Sequence, residues 1–420
     1  MARTKTAQHL ALVDQTISYA VASGVLHQYT EDEGLNGRTI TVRGMEVVNF
    51  GSCSYLGLEQ DERMKMAAIE AIRKYGVQFS SSRAYMSIGL YKQLEHEVEK
   101  IFGGHAIVSP SVTMAHLSAI PVIVEENDVV ILDHQVHTSV QMTAQLLKAR
   151  GIKVELIRHN RLDMLEARVK KLSQQYRKVW YMADGVYSMF GDYAPVEEIK
   201  SLLNQYPALH LYIDDAHGVS WFGKNGKGVA STFMGGHEKV YIAASLNKSF
   251  AAGGGAVLFP NAAIADKVRK CGSTYSFSGP LQPASIGAAI ASAKIHQSSD
   301  LPVLQQRLAG LIDTFNTECA VKGLYQPLTT DTPIGFIRVG DVELTLEVIQ
   351  RLMRHGYYVN SAIYPAVPYK ESGLRITINN HLRTEDIVGL LECVKFEIPR
   401  VEKKLSQEKE SFVKMTQRHP

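Results

Sequence analysis

Residues 179–218 read VWYMADGVYSMFGDYAPVEEIKSLLNQYPALHLYIDDAHG. An apolar run, Val179-Trp180-Tyr181-Met182, gives way to a polar, glycine-bearing stretch. The segment VEEIKSLLNQY that follows carries apolar residues at helical spacing. A second apolar run, Leu211-Tyr212-Ile213, then ends on Asp214, Asp215 and His217. Apolar runs without polar alternation suit strands buried on both faces. Strand, covering helix and strand together make one βα unit of a parallel sheet.

The rhythm extends outward in both directions. His105-Ala106-Ile107-Val108, Val129-Val130-Ile131-Leu132, Val154-Glu155-Leu156-Ile157, Val240-Tyr241-Ile242-Ala243 and Ala256-Val257-Leu258-Phe259 recur about every 25 to 30 residues, and helical patterns such as MLEARVKKLSQQY separate most of them. The expected fold is therefore α/β: a mostly parallel, seven-stranded central sheet flanked by helices. Beyond about residue 300 the texture changes to a helix (VLQQRLAGLIDTFNTECAV), short strands (GFIRV, YYVNSAI, LRITI) and a final helix, the pattern of a smaller α+β domain. The expected division is an N-terminal helical and extended segment over 1–60, a large domain over 61–298 and a small C-terminal domain over 299–420.

Composition narrows the function. The chain has 420 residues, 45% of them hydrophobic and 21% charged, ordinary values for a soluble globular protein. The net charge of +3 is not gathered into a basic block, so no nucleic-acid partner is expected. Cys53, Cys271, Cys319 and Cys393 lie far apart with no CxxC pair. Neither a metal site nor a disulfide framework is expected, and a reducing cytoplasm fits. No apolar run is long enough for a membrane span or an export signal. Leu10, Val13, Ile17 and Ala20 have the spacing of a helix packed on the body of the protein.

In open α/β sheets, ligands gather outside the carboxyl ends of the strands. Polar residues cluster at those ends here: His137 in DHQVHTS, Asp184 and Ser188 in ADGVYSM, Asp214 and His217 in DDAHG, and Lys248 in ASLNKSFAAGGGA. Taken singly, an aspartate there caps a turn and a histidine is a satisfied core residue. As a set they meet the needs of one cofactor. A desolvated lysine amine forms a Schiff base with an aldehyde. Pyridoxal 5'-phosphate supplies that aldehyde and wants a carboxylate at its ring nitrogen, an imidazole or aromatic ring on its face, and helix-start N–H groups with hydroxyls at its phosphate.

Nine segments carry a resemblance: NFGSCSYLGL (49–58), YGVQFSSSR (75–83), LDHQVHTSV (132–140), RHN (158–160) with Leu165-Glu166, ADGVYSMFGDYAPV (183–196), YIDDAHGVSWFGKNGKG (212–228), SLNKSFAAGGGA (245–256), YSFSGP (275–280) and GLRITINNHLRTEDI (373–387). In this order they resemble the motifs of the α-oxoamine synthase family, fold type I pyridoxal-phosphate transferases. The resemblance covers roughly residues 45 to 395.

It implies that Lys248 forms the Schiff base and moves the α-proton. It also implies that Asp214 pairs with the ring nitrogen, His217 with the 3'-oxygen, and that His137 stacks on the ring and assists the reacting groups. Ser111, Val112, Thr113 and Ser245 would hold the phosphate, with Asp184 and Ser188 nearby. Ser276 or Ser278 would reach the phosphate of the neighbouring subunit of a homodimer whose sites lie at the interface. Arg375 would grip the carboxylate of an amino acid, a task for which the guanidinium fork is suited. The implied reaction joins an α-amino acid to an acyl thioester with loss of carbon dioxide, giving an α-amino ketone.

Four departures from the family pattern stand out. The phosphate loop, usually Ser-Gly-aromatic, is Ser109-Pro110-Ser111-Val112-Thr113; Cys53-Ser54 replaces the usual Asn-Asp; Asp184 replaces a Glu; and no cluster for the phosphate of coenzyme A is evident, so an acyl carrier protein is an equal candidate as donor. They fit a specialised biosynthetic enzyme. Alternatives are an aminotransferase or aldolase-type enzyme on the same fold and a non-catalytic partner subunit, the latter opposed by the presence of Lys248, Asp214 and His137. A dinucleotide site in AAGGGA is opposed by the absence of GxGxxG at a strand-to-helix turn.

Overall fold

In the computed structural model, which describes residues 5–416, the apolar runs become strands and the amphipathic stretches helices. A hairpin of β1 (Thr39–Val42) and β2 (Met45–Asn49) precedes seven strands: β3 (His105–Ser109), β4 (Asp128–Asp133), β5 (Lys153–Ile157), β6 (Lys178–Asp184), β7 (Leu209–Asp214), β8 (Val240–Ser245) and β9 (Gly255–Phe259). These seven form one sheet in the order β3-β9-β8-β7-β6-β4-β5. The pairs β4–β5, β4–β6, β6–β7 and β7–β8 are parallel; β9 runs antiparallel to both β3 and β8. The mostly parallel, seven-stranded expectation holds.

The described chain divides into two compact units. One comprises residues 56–188 and 192–306 and contains the seven-stranded sheet; the other comprises residues 5–55, 189–191 and 307–416. The second unit joins the first and last of the stretches expected from the sequence. Within it, β10 (Ile334–Gly340) precedes β11 (Tyr357–Tyr358), which pairs with β2; β12 (Asn360–Ala362) and β13 (Ser372–Thr377) complete a sheet of order β10-β13-β12. Helix α1 (Lys5–Ala22) opens this unit and the helix Thr384–Thr416 closes it. Among the described residues no helix is long and apolar enough to cross a membrane.

In the larger unit, α2 (Glu62–Tyr75) and α3 (Leu90–Phe102) lead into β3, and α4 (Val112–Ile123) follows β3 after only two residues. Ser111 makes that sharp entry possible. It stays extended, and its side chain accepts the Met114 N–H at 3.2 Å, capping the helix. Helix α4 buries Ala115, Ala119, Ile120 and Ile123 in one core with Trp180, Met182, Tyr212, Tyr241 and Ala243. Trp180 and Met182, and Tyr241 and Ala243, are two apart on their strands and so share a sheet face. Asp214, two residues beyond Tyr212, continues that face to the sheet's edge. Helix α5 (Thr138–Ala149) starts beside the same edge.

The edge near α4 requires glycine. Gly255 pairs with both Ser109 of β3 and Ser245 of β8, and a Cβ there would lie 2.5 Å from the Val112 nitrogen. Gly254 takes φ +106°, a region that side-chain-bearing residues rarely enter. Backbone, which cannot swing aside, is the obstacle at Gly255. Gly255→Ala is therefore expected to lower folding stability by roughly 1–3 kcal/mol, the range for overpacking. A urea unfolding midpoint equal to that of the unaltered protein would show that β3 and β9 have more slack than this spacing indicates.

Candidate active site

Strand register builds the site. Asp184 ends β6 and stands opposite Asp214, the last residue of β7; Asp214 in turn stands opposite Ala243 of β8, two residues before Ser245. Parallel strands in register deliver their final residues to one edge, and here two of those residues are buried aspartates. Two neighbouring carboxylates resist joint ionisation, so their environments must drive them apart. Burial alone would raise Asp214, but His116, Lys248 and His137 outweigh it and hold the carboxyl at about 2. Asp184 moves the other way, pushed well up by burial and then by the Asp214 charge.

Asp214 is held by two donors. One oxygen takes the Ala216 N–H at 3.0 Å and the other lies 2.9 Å from Nε2 of His116. The far nitrogen of His116, Nδ1, lies 2.8 Å from the Tyr212 hydroxyl. His116 was not among the residues expected from the sequence. Tyr212 and Asp214 point the same way because they are two apart on a strand, but only the packing of α4 on that face brings a histidine to both.

His137 caps α5: its Nδ1 accepts the Ser139 N–H, and its own N–H donates to Asp184 at 3.0 Å. A backbone N–H can only donate, so the neutral ring carries its proton on Nε2. His137 is an exposed residue. His217, three residues past Asp214, is buried, and its carbonyl accepts the Trp221 indole N–H at 2.6 Å.

Lys248 lies half-buried in the loop between β8 and β9. The loop is tied across its base: Leu246 N–H donates to Gly254 O, and Gly254 N–H donates to the Asn247 side chain at 2.8 Å. Lys248 is close enough to Asp214, Asp184 and His137 for its charge to act on all three. Buried Ser245 accepts the Asn247 N–H at 3.2 Å. Ser249, also buried, has a hydroxyl with no hydrogen-bond partner among the described residues, and it too was not foreseen. Ser111, Val112 and Thr113 are the cap and first two residues of α4, where N–H groups precede the helix's own bonding.

Ser188 sits half-buried past the end of β6. Ser276 and Ser278 lie on a segment with Phe277, which is 84% exposed; the Ser276 carbonyl accepts the Ser82 hydroxyl. Arg375 belongs to the other unit. It lies mid-β13 opposite Phe336 and Asn360, with Nη2 3.7 Å from the Cys53 sulfur and Tyr55 alongside.

A clasp orders the far strand ends. His159 lies 2.9 Å from Asp133 at the end of β4 and 2.6 Å from Asp192, its ring edge-on to Tyr187. Burial would lower this imidazole, but the two carboxylates outweigh it and raise it to about 9. The folded value lies above the ordinary 6.5, so the clasp's stabilisation is complete below about pH 6.5 and is lost as pH rises through about 9. His159→Gln is expected to unfold at lower urea than the unaltered protein near pH 6, and the gap should close by about pH 10. A gap that stays constant across this range would mean that the bonds draw nothing from the positive charge.

Comparison with known proteins gives a consistent picture. Residues 45–392 match the protein family described as Aminotransferase class I and II. An 8-amino-7-oxononanoate synthase of Thermosipho melanesiensis is 32% identical over 376 residues, 89% of this chain and 93% of that protein. A serine palmitoyltransferase of Bacteroides ovatus is 31% identical over 364 residues, 85% and 89% of the two. The fold is shared with a serine palmitoyltransferase of S. paucimobilis solved with pyridoxal phosphate and myriocin: TM-score 0.86, 24% identity, covering 95% of this chain and all of that one.

Proposed function

The chain belongs to the α-oxoamine synthases of the aminotransferase class I and II family, and from that premise we propose the following roles for its residues. It is a pyridoxal-phosphate-dependent acyltransferase that condenses an α-amino acid with an acyl thioester and releases carbon dioxide. The observation that carries the reading at the site is one lysine within electrostatic reach of a buried, ionised aspartate and an exposed histidine at a single sheet edge.

The residues fit the cofactor. The start of α4 offers the N–H groups of Val112 and Thr113, and the buried Ser249 hydroxyl lacks a partner, as a phosphate cradle would have it. The Asp214 carboxylate accepts one donor on each oxygen, so each keeps acceptor capacity for another. When bound, pyridoxal phosphate supplies an aldehyde that takes up an amine and a ring that accepts an electron pair. Lys248 would hold the aldehyde and then carry the α-proton. Asp214, kept ionised, would hold a proton on the ring nitrogen, and His217 would face the 3'-oxygen. His137 would cover the ring and donate from Nε2. Ser111 and Ser245 would line the phosphate site, with Asp184 and Ser188 at its margin.

Arg375 would take the amino-acid carboxylate, with Cys53 and Ser54 beside it bearing on the choice of amino acid. The acyl group would arrive on coenzyme A or on a carrier protein. The reading extends to a cytoplasmic homodimer in which Ser276 or Ser278 serves the neighbouring site. Four free cysteines and the exposure of Met66, Val77, Phe79, Met86 and Phe277 support it.

The test is carbon dioxide release from a panel of 1-labelled amino acids, with and without acyl-coenzyme A or acyl carrier protein. Release that depends on both substrates is expected, and Lys248→Ala should lower it by at least roughly 10²–10⁴-fold, the worth of a general base. Release without any thioester, or turnover retained in the variant, would sink the reading. Arg375→Lys keeps the charge but loses the bidentate fork, so KM for the amino acid should rise roughly tenfold or more. An unchanged KM would remove Arg375 from the carboxylate site.

A further inference from the structure

Three buried groups stand in line between helix and sheet: the Tyr212 hydroxyl, the His116 imidazole and the Asp214 carboxylate, joined at 2.8 and 2.9 Å. Tyr212 and His116 have no exposed surface, and Asp214 retains 4%. No water can take over a bond that fails here, so each donor and acceptor must be met by protein. One proton position follows. An ionised carboxylate can only accept, so Nε2 of His116 carries a proton and donates it to Asp214, while Nδ1 is bonded to the Tyr212 hydroxyl.

We propose that His116 is a positioning residue for cofactor binding: clamped by Tyr212, it fixes the rotamer of Asp214 and keeps that carboxylate available as an anion to the ring nitrogen of pyridoxal phosphate. The proposal rests on the reading of the chain as a pyridoxal-phosphate enzyme. Its geometry has a second strength. His116 lies on α4, the helix whose first turn carries Ser111, Val112 and Thr113. One rigid helix thus sets both the N–H groups offered to the phosphate and the donor that orients the carboxylate. A displacement of α4 would disturb both ends of the cofactor together. A histidine serving only to fill the core would have no need of a carboxylate partner at the site.

The test uses the full chain stripped of cofactor and reloaded with pyridoxal phosphate. His116→Leu fills the space without a donor; His116→Gln restores a side-chain N–H. Dissociation constants from fluorescence titration, the visible absorbance of the loaded protein and the melting temperature of the apo form are compared. His116→Leu should bind pyridoxal phosphate roughly tenfold to hundredfold more weakly, the worth of a hydrogen bond to a charged group, with an altered visible band. His116→Gln should recover most of both.

An unchanged constant and band in His116→Leu, or equal losses in both variants that merely track the melting temperature, would overturn the proposal. Should His116→Leu not fold, Tyr212→Phe decides, since it deletes one oxygen and only the outer clamp. A weakening of roughly threefold to tenfold is expected, and none would overturn. An unaltered chain that takes up no pyridoxal phosphate would overturn the underlying reading, and the proposal with it.

Discussion

Two carboxylates end adjacent strands of a parallel sheet, out of water, and everything else at the site answers to that placement. Asp184 and Asp214 are paired by register, so backbone hydrogen bonds fix the neighbouring positions from which their side chains start. Burying an anion is tolerable only where it is paired and hydrogen-bonded. The surroundings select one of the two. Asp214 receives an amide, an imidazole and the nearby lysine charge; Asp184 receives one amide from His137, and burial with the Asp214 charge pushes its carboxyl well up. Two carboxyls side by side, shifted in opposite directions, come from one fold and one residue type.

The sheet edge also explains why small residues crowd around the lysine. The β8–β9 connection is a hairpin, so its loop leaves and re-enters the sheet between neighbouring strands. Ser245 and Gly255 close it in register, and a side chain at 255 would strike the backbone that begins α4. The same closeness that bars a Cβ brings the loop beside the helix start. Lys248, Ser249 and the N–H groups of Val112 and Thr113 therefore arise from two elements already in contact. Arg375 is organised separately, in the unit built from both ends of the chain, where β13 lies between β10 and β12.

Much of this was legible in the sequence. Unbroken apolar runs separated by amphipathic helices can hardly be read otherwise than as a parallel sheet, and each run's last residues reach the ligand edge by construction. Lys248, Asp214, His217 and His137 could be singled out for that reason, because their placement depends on strand polarity alone. His116 could not be. It lies inside a helix, at an apolar-facing position, and its importance depends on which sheet face that helix covers. Ser249 looked like one of several small loop residues, and only burial without a partner sets it apart. His159 was visible within a motif, yet its two aspartates come from other strand ends, Asp133 and the loop after β6, which spacing along the chain does not relate. The grouping of residues 5–55 with 307–416 was hidden for the same reason: β2 finds its partner β11 some three hundred positions away.

The pairing of β3 with β9 sets His105 against Phe259, the widest sequence separation of any pairing in the seven-stranded sheet. Closing it joins the longest stretch of chain between any two paired strands of that sheet. Yet this is the pairing that brings Gly255 to Val112 and so joins the lysine loop to the helix start. A chain that has formed every other strand contact still lacks the close approach of β9 to the start of α4. A ligand that required this contact would, by mass action, draw the population toward molecules that have closed the sheet.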